Sequence, residues 1–221
     1  MVCYDVKEVG YMIRTWIADV TGLLEKEKYL QYYKKIPDFR KDKADKILYQ
    51  EGKALSVGVW ILYEKMRAAY GISEHAIFNL SHSGNYVLCS LDDSEKREIS
   101  LGCDLEKIKQ VRMEVANRFF CESEFQKIVQ QDTEERRAEL FYRYWVLKES
   151  FMKATRLGMK LGLDQFEITF SEEGEPYLLK QPKKLPRKYY FKEYEVGGIP
   201  YKIAVCSDDC DFSEMIEKIE L

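Results

Sequence analysis

Apolar and polar positions along this chain switch repeatedly between a period of two and a period near 3.6, which predicts both strands and helices. Met1–Val6 (MVCYDV) alternates as a short strand. Leu23–Lys35 (LLEKEKYLQYYKK) reads as a charged helix ended by Pro37. From Asp42 to Ala69 the apolar residues Leu48, Leu55, Val59, Leu62, Met66 and Ala69 recur at spacings of seven, four, three, four and three. That is one face of a long helix, with Gly71 as its stop. Gly52 and Gly58 inside it predict close packing or a kink. Two strands follow, His75–Ser81 and Asn85–Leu91, joined around Ser83-Gly84.

The polar run Asp92–Glu98 reads as a solvated turn or linker. Beyond it the pattern predicts a strand from Ile99 to Glu106, then helices over Met113–Gln130 and Thr133–Arg156. Strands return at Phe166–Phe170, Tyr177–Leu179, Tyr189–Val196 and Tyr201–Cys206. The last ten residues read as a short helix with Met215 and Ile216 inward. Each half therefore runs strand, helix, helix, strands, without a residue-level repeat. The prediction is an α/β chain, in the α+β sense, of two similar subdomains, 1–98 and 99–221. A ligand cleft between such halves would be natural, because domain junctions form clefts.

Composition narrows the class. At 221 residues the chain is long enough for one large or two small domains, and 46% hydrophobic against 33% charged residues excludes wholesale disorder. The net charge of −3 argues against bulk electrostatic binding to nucleic acid. The N-terminus lacks the basic start and apolar stretch of a signal peptide, and the longest apolar run, Val57–Tyr63, is too short for a bilayer. A cytoplasmic protein that binds no membrane is expected. The six cysteines contain no C-x-x-C pair, which argues for reduced, buried thiols and against zinc.

Four segments could carry chemistry. In Gly102-Cys103-Asp104-Leu105-Glu106 a strand sends Asp104 and Glu106 to one face and Cys103 and Leu105 to the core. Paired carboxylates repel, and a hard divalent cation such as Mg²⁺ or Mn²⁺ relieves them; the plainer alternative is a solvated strand end. In the helix Tyr144–Lys153, Trp145, Glu149 and Lys153 are spaced i, i+4, i+8 and share a stripe. An exposed Glu–Lys pair is the plain reading; the Trp on the same stripe favours a half-buried site. Phe78–Gly84 (FNLSHSG) holds one of two histidines. Adjacent Ser81 and His82 point to opposite strand faces, so a Ser–His hydrolase is disfavoured and an anion such as phosphate suits the turn better. Basic clusters at Lys34–Lys46 and Lys183–Lys188 are solvated surface unless they border a polyphosphate site. No Walker A loop is present.

Order and spacing carry more than any single motif. N-L-S-H-S, G-x-D-x-E about twenty residues on, and W-x-x-K-E-S-x-x-K about forty residues later together resemble the Sfp-type branch of the 4′-phosphopantetheinyl transferase superfamily. The resemblance extends to Ala116–Phe120 (ANRFF) and Leu157–Phe166 (LGMKLGLDQF), covers residues 76–170 well, and is loose over the first seventy. It implies a pseudo-two-fold monomer that binds coenzyme A and Mg²⁺ between its halves and moves the phosphopantetheine arm to a serine of an acyl or peptidyl carrier protein. By matching positions, Asp104, Glu106 and Glu149 would be metal ligands and Lys153 would lie near the pyrophosphate. Glu149 could also accept the serine proton, directly or through a water, a role that competes with metal binding because a metal-bound carboxylate is a poor base. Ser81 and His82 would contact the coenzyme A 3′-phosphate, and Lys46, with Arg40 or Lys43, would supply the basic residue of the long helix. Many Sfp-type members carry Gly-Lys-Pro before the Ser-His motif; Tyr70–His75 (YGISEH) stands there, so adenosine must be recognised differently. Two rivals share these residues: a noncatalytic coenzyme A or nucleotide-binding module, and a metal-dependent phosphohydrolase.

Overall fold

A computed structural model describes residues 11–94 and 98–221; the strand expected at Met1–Val6 lies outside them. In chain order the described elements are β1 (Ile13–Asp19), α1 (Lys26–Tyr33), α2 (Asp38–Asp45), α3 (Gln50–Tyr70), β2 (Phe78–Ser83), β3 (Tyr86–Asp92), β4 (Leu101–Lys107), α4 (Met113–Phe119), α5 (Glu122–Val129), α6 (Glu134–Thr155), β5 (Glu167–Phe170), β6 (Pro176–Lys180), β7 (Tyr190–Tyr194), β8 (Tyr201–Ser207) and β9 (Glu217–Glu220). Helices and sheets are mixed along the chain, as the patterning predicts. They fall into two compact units, one of the described residues 11–94 with 212–221 and the other of residues 98–211.

In the first unit a four-stranded sheet has the order β2-β3-β1-β9. β1 runs antiparallel to β3, from Ile13↔Asp92 to Asp19↔Tyr86, and parallel to β9. The alternation pattern misses β1 because a central strand is covered on both faces: Ile13, Thr15, Trp16, Ile17 and Ala18 are all buried, which erases period two. β9 replaces the helix expected at the C-terminus. Met215 is 78% exposed, whereas Ile219 packs against the core and Leu221 is buried. Ten residues are too few to sustain a lone helix in water, and the free edge of β1 offers them a ladder.

The single helix expected over Asp42–Ala69 is broken in two. α2 ends at Asp45 and α3 starts at Gln50, with Tyr49 extended between them. Leu48 therefore lies outside the helix face it was assigned to and is 87% exposed. Val59, Leu62 and Met66 do form the buried stripe, packing with Trp16, Ala18 and Val87. Gly58 marks close packing: a Cβ there would lie 2.4 Å from Val20 Cγ1. Gly71 ends α3 in the left-handed conformation, φ 64°, as a C-terminal glycine should.

In the second unit the sheet order is β4-β8-β7, all antiparallel, beside the separate hairpin β5-β6. The helix expected over Met113–Gln130 is also two, α4 and α5, because Cys121 opens α5 as its N-cap. Its thiol and Glu124 form a reciprocal capping box there. α6 is the 22-residue spine of this unit. Thr133 starts it by accepting a hydrogen bond from Arg136 N, and Glu134 and Glu135 complement the first turn.

Candidate active site

β4 and α6 build the site, and a glycine lets them meet. A Cβ at Gly102 would fall 2.1 Å from Ser150 O and 2.4 Å from Ala154 N, both backbone atoms of α6. Only glycine permits that approach. Period two then sets the rest of β4. Cys103 and Leu105 are fully buried on one face, while Asp104 follows Gly102 onto the face that meets α6 and is 4% exposed. Glu106, half-buried, is the next residue on that face.

Across from them α6 presents Glu149 and Lys153 one turn apart. Lys153 Nζ donates to Asp104 Oδ1 at 2.7 Å and to Cys103 O at 3.0 Å. Burial works against the Lys153 charge, yet Asp104 and Glu149 outweigh it and raise its proton affinity above that of a free lysine. Burial also lifts Glu149 above the ordinary carboxylate range, and Asp104 and Glu106 push the same way while Lys153 opposes them. Those couplings place Asp104, Glu106, Glu149 and Lys153 in one electrostatic neighbourhood. Trp145, on the stripe of Glu149, stacks on Phe141 at 5.6 Å and packs with Phe120, so it secures the helix within an aromatic cluster.

Could these residues hold a divalent cation? Three carboxylates offer the hard oxygen donors that Mg²⁺ or Mn²⁺ takes, and mutual repulsion already burdens Glu149. The donor set fits. Their ligand atoms do not all lie within 4.8 Å of one another. Among the described residues the only His, Cys, Asp or Glu trio with ligand atoms all within 4.8 Å of one another is Asp209–Cys210–Asp211. That trio is a surface turn in which Asp209 Oδ1 accepts from Asp211 N at 2.9 Å.

The remaining expected residues lie in the first unit. In β2, Ser81 pairs with Leu88 and is buried, while His82 pairs with Val87 and is exposed, so the two do face opposite ways. Lys43 is exposed in the last turn of α2. Lys46 is also exposed but is the C-cap of α2, not part of the long helix α3 as expected. Arg40 points inward: its guanidinium donates to Ser56 O at 2.7 Å and lies 5.1 Å from the Trp60 ring centroid. Burial lowers its pKa from the usual arginine value.

Two structural roles escaped the sequence. Gly102 was visible in G-x-D-x-E, and a glycine inside a strand signals close backbone approach, but nothing in the sequence names its neighbour. Lys148, beside Glu149 in K-E-S, is fully buried against Glu124 at 2.9 Å. Its signal was position, since Tyr144 and Phe151, four before and three after it, are core residues.

Comparison with known proteins converges on one family. Residues 100–206 match the model of the 4′-phosphopantetheinyl transferase superfamily. The chain is 36% identical over 147 residues to the 4′-phosphopantetheinyl transferase Sfp of Bacillus subtilis, covering 65% of this chain and 60% of that one. It is 34% identical over 140 residues to a 4′-phosphopantetheinyl transferase of Bacillus pumilus, covering 63% and 56%. The match thus spans about three-fifths of these relatives' length. Among solved structures, holo-[acyl-carrier-protein] synthase of Neisseria meningitidis aligns with a TM-score of 0.43 at 16% identity, over 49% of this chain and 95% of that one. With its D-x-E strand and K-E-S helix inside the matched residues, the chain is similar to the 4′-phosphopantetheinyl transferase superfamily, and to its Sfp-type members among the relatives compared.

Proposed function

We propose that this protein transfers the 4′-phosphopantetheine arm of coenzyme A to a serine of an acyl or peptidyl carrier protein, releasing adenosine 3′,5′-bisphosphate. The observation that supports it is the Lys153–Asp104 ion pair between α6 and β4, with Glu149 of α6 under the influence of the charges of Asp104, Lys153 and Glu106. In this reading the serine oxygen attacks the phosphorus that carries the pantetheine oxygen. A new P–O bond forms, the bond to the bridging oxygen breaks, and the electron pair leaves with the bisphosphate. The leaving group is a phosphate oxygen and needs little acid help, so positioning and charge neutralisation dominate.

Asp104, Glu106 and Glu149 would hold Mg²⁺ or Mn²⁺, which when bound would draw charge off the diphosphate oxygens. Lys153 exchanges its Asp104 contact for the diphosphate and steadies the leaving phosphate as a fixed cation. Glu149 also takes the serine proton, directly or through a water, a role that competes with holding the cation because a metal-bound carboxylate is a poorer base. Ser81 and His82 take the 3′-phosphate of coenzyme A, with Lys43 and Lys46 as exposed cations of the chain's first basic cluster. Arg40, engaged with Ser56 O and Trp60, serves the fold of its own unit. No helix among the described residues is long and apolar enough to cross a membrane. A cytoplasmic monomer completes the reading.

The test is mass spectrometry of apo carrier proteins incubated with the enzyme, coenzyme A and Mg²⁺. The expected result is a carrier heavier by one phosphopantetheine. Free phosphopantetheine without carrier modification would favour a phosphohydrolase, and coenzyme A binding with neither product would favour a binding module. Within this scheme Glu149→Gln keeps shape and loses charge, so kcat should fall by about 10²–10⁴-fold, the range of general-base removal. Lys46→Ala should instead raise the KM for coenzyme A several-fold and leave kcat near wild type, because a group that grips substrate and transition state alike acts on binding alone.

A further inference from the structure

Lys148 is an ammonium fully enclosed by protein, and every one of its protons is committed. It donates to Leu163 O at 2.7 Å, to Phe166 O at 2.7 Å and to the Glu124 carboxylate at 2.9 Å. Glu124 is as completely engaged: Oε1 accepts from Ile168 N at 2.8 Å, and Oε2 accepts from Cys121 N at 2.9 Å besides Lys148. The Phe166 ring lies 4.3 Å from the ammonium. One side chain thus ties α6 to the start of α5 and to the segment that enters β5.

Apolar packing alone leaves a helix some freedom to turn or slide. Directional bonds to three separate acceptors remove it. Successive side chains on a helix diverge by about 100°. Holding Lys148 inward therefore fixes the direction in which its neighbour Glu149 leaves the helix, and one turn later that of Lys153. We propose that Lys148, locked by Glu124, is the positioning residue that sets Glu149 and Lys153 against Asp104, a role that rests on the transferase reading above. A buried ion pair contributes little net stability over well-packed apolar groups, so specificity of geometry is the better account of its presence.

The experiment compares wild type with the double variant Lys148→Met and Glu124→Gln, and with Glu124→Gln alone in case the double variant does not fold. Each is checked for a cooperative thermal transition. Each is then titrated with Mn²⁺ by electron paramagnetic resonance and assayed for carrier modification. Loss of a residue that orients ligands weakens cation affinity or activity by about 10–100-fold. The double variant should therefore bind Mn²⁺ at least about 10-fold more weakly and lose kcat while the KM for coenzyme A stays within a few-fold. Glu124→Gln alone should show a smaller loss in the same direction. A folded variant of either kind with wild-type Mn²⁺ affinity and kcat would overturn the proposal. Wild type that binds Mn²⁺ but modifies no carrier would defeat the transferase reading alone, with the positioning role still decided by the Mn²⁺ titrations. Wild type that binds no Mn²⁺ would defeat both.

Discussion

Gly102→Ala is expected to abolish carrier modification and to lower the thermal midpoint clearly. The added methyl carbon would fall 2.1 Å from Ser150 O and 2.4 Å from Ala154 N, and neither contact involves a side chain that could swing aside. The strand and helix must separate, which costs at or above the upper end of the usual range for overpacking, about 3 kcal/mol. For a chain of this size that is roughly 6–12 °C in Tm. The functional effect is larger than the structural one, since Asp104 on the strand and Glu149 and Lys153 on the helix move apart together. Scanning calorimetry with the carrier assay measures both. A wild-type midpoint with wild-type turnover would show that the close approach is not needed.

Asp104→Asn is expected to reduce kcat at least about 10³-fold, the upper range for loss of one preorganised electrostatic contact. Asparagine nearly matches the shape of aspartate, so the loss reports charge. Asp104 is almost wholly buried and is the anionic partner of Lys153 at 2.7 Å, so its neutral isostere removes that ion pair from a partly buried ammonium that also donates to Cys103 O. A smaller companion effect on stability follows from the loss of that buried ion pair. Raising Mg²⁺ should not restore turnover. Single-turnover kinetics over a Mg²⁺ series would measure this, and recovery to near wild-type rates at high Mg²⁺ would remove Asp104 from the reacting centre.

What the sequence made legible follows from where local pattern and tertiary environment agree. β4 alternates because one face meets a core and the other meets α6, so Asp104 and Glu106 could be assigned to one face in advance. The spacing of Glu149 and Lys153 gave their shared stripe for the same reason. Patterning failed where environment overrode it. β1 is covered on both faces and shows no alternation, and β9 exists only because β1 offers an edge. Leu48 fits a helical repeat numerically but lies in the connection between α2 and α3. Lys148 and Gly102 are informative only once their neighbours are known, and those neighbours are distant in sequence: Glu124 for one, Ser150 and Ala154 for the other. Arg40 shows the opposite failure, since a basic residue in a basic cluster turns out to be buried in its own unit.

In the proposed reaction one divalent cation would join the carboxylates of β4 and α6 to a diphosphate. The most direct measurement is a crystal structure of the chain soaked with Mn²⁺ and coenzyme A, read by anomalous scattering. The prediction is a single strong peak bonded to oxygens of Asp104, Glu106 and Glu149 and to the diphosphate, with Lys153 moved off Asp104. A peak at Asp209–Cys210–Asp211 instead, with the Lys153–Asp104 pair intact beside bound coenzyme A, would contradict it.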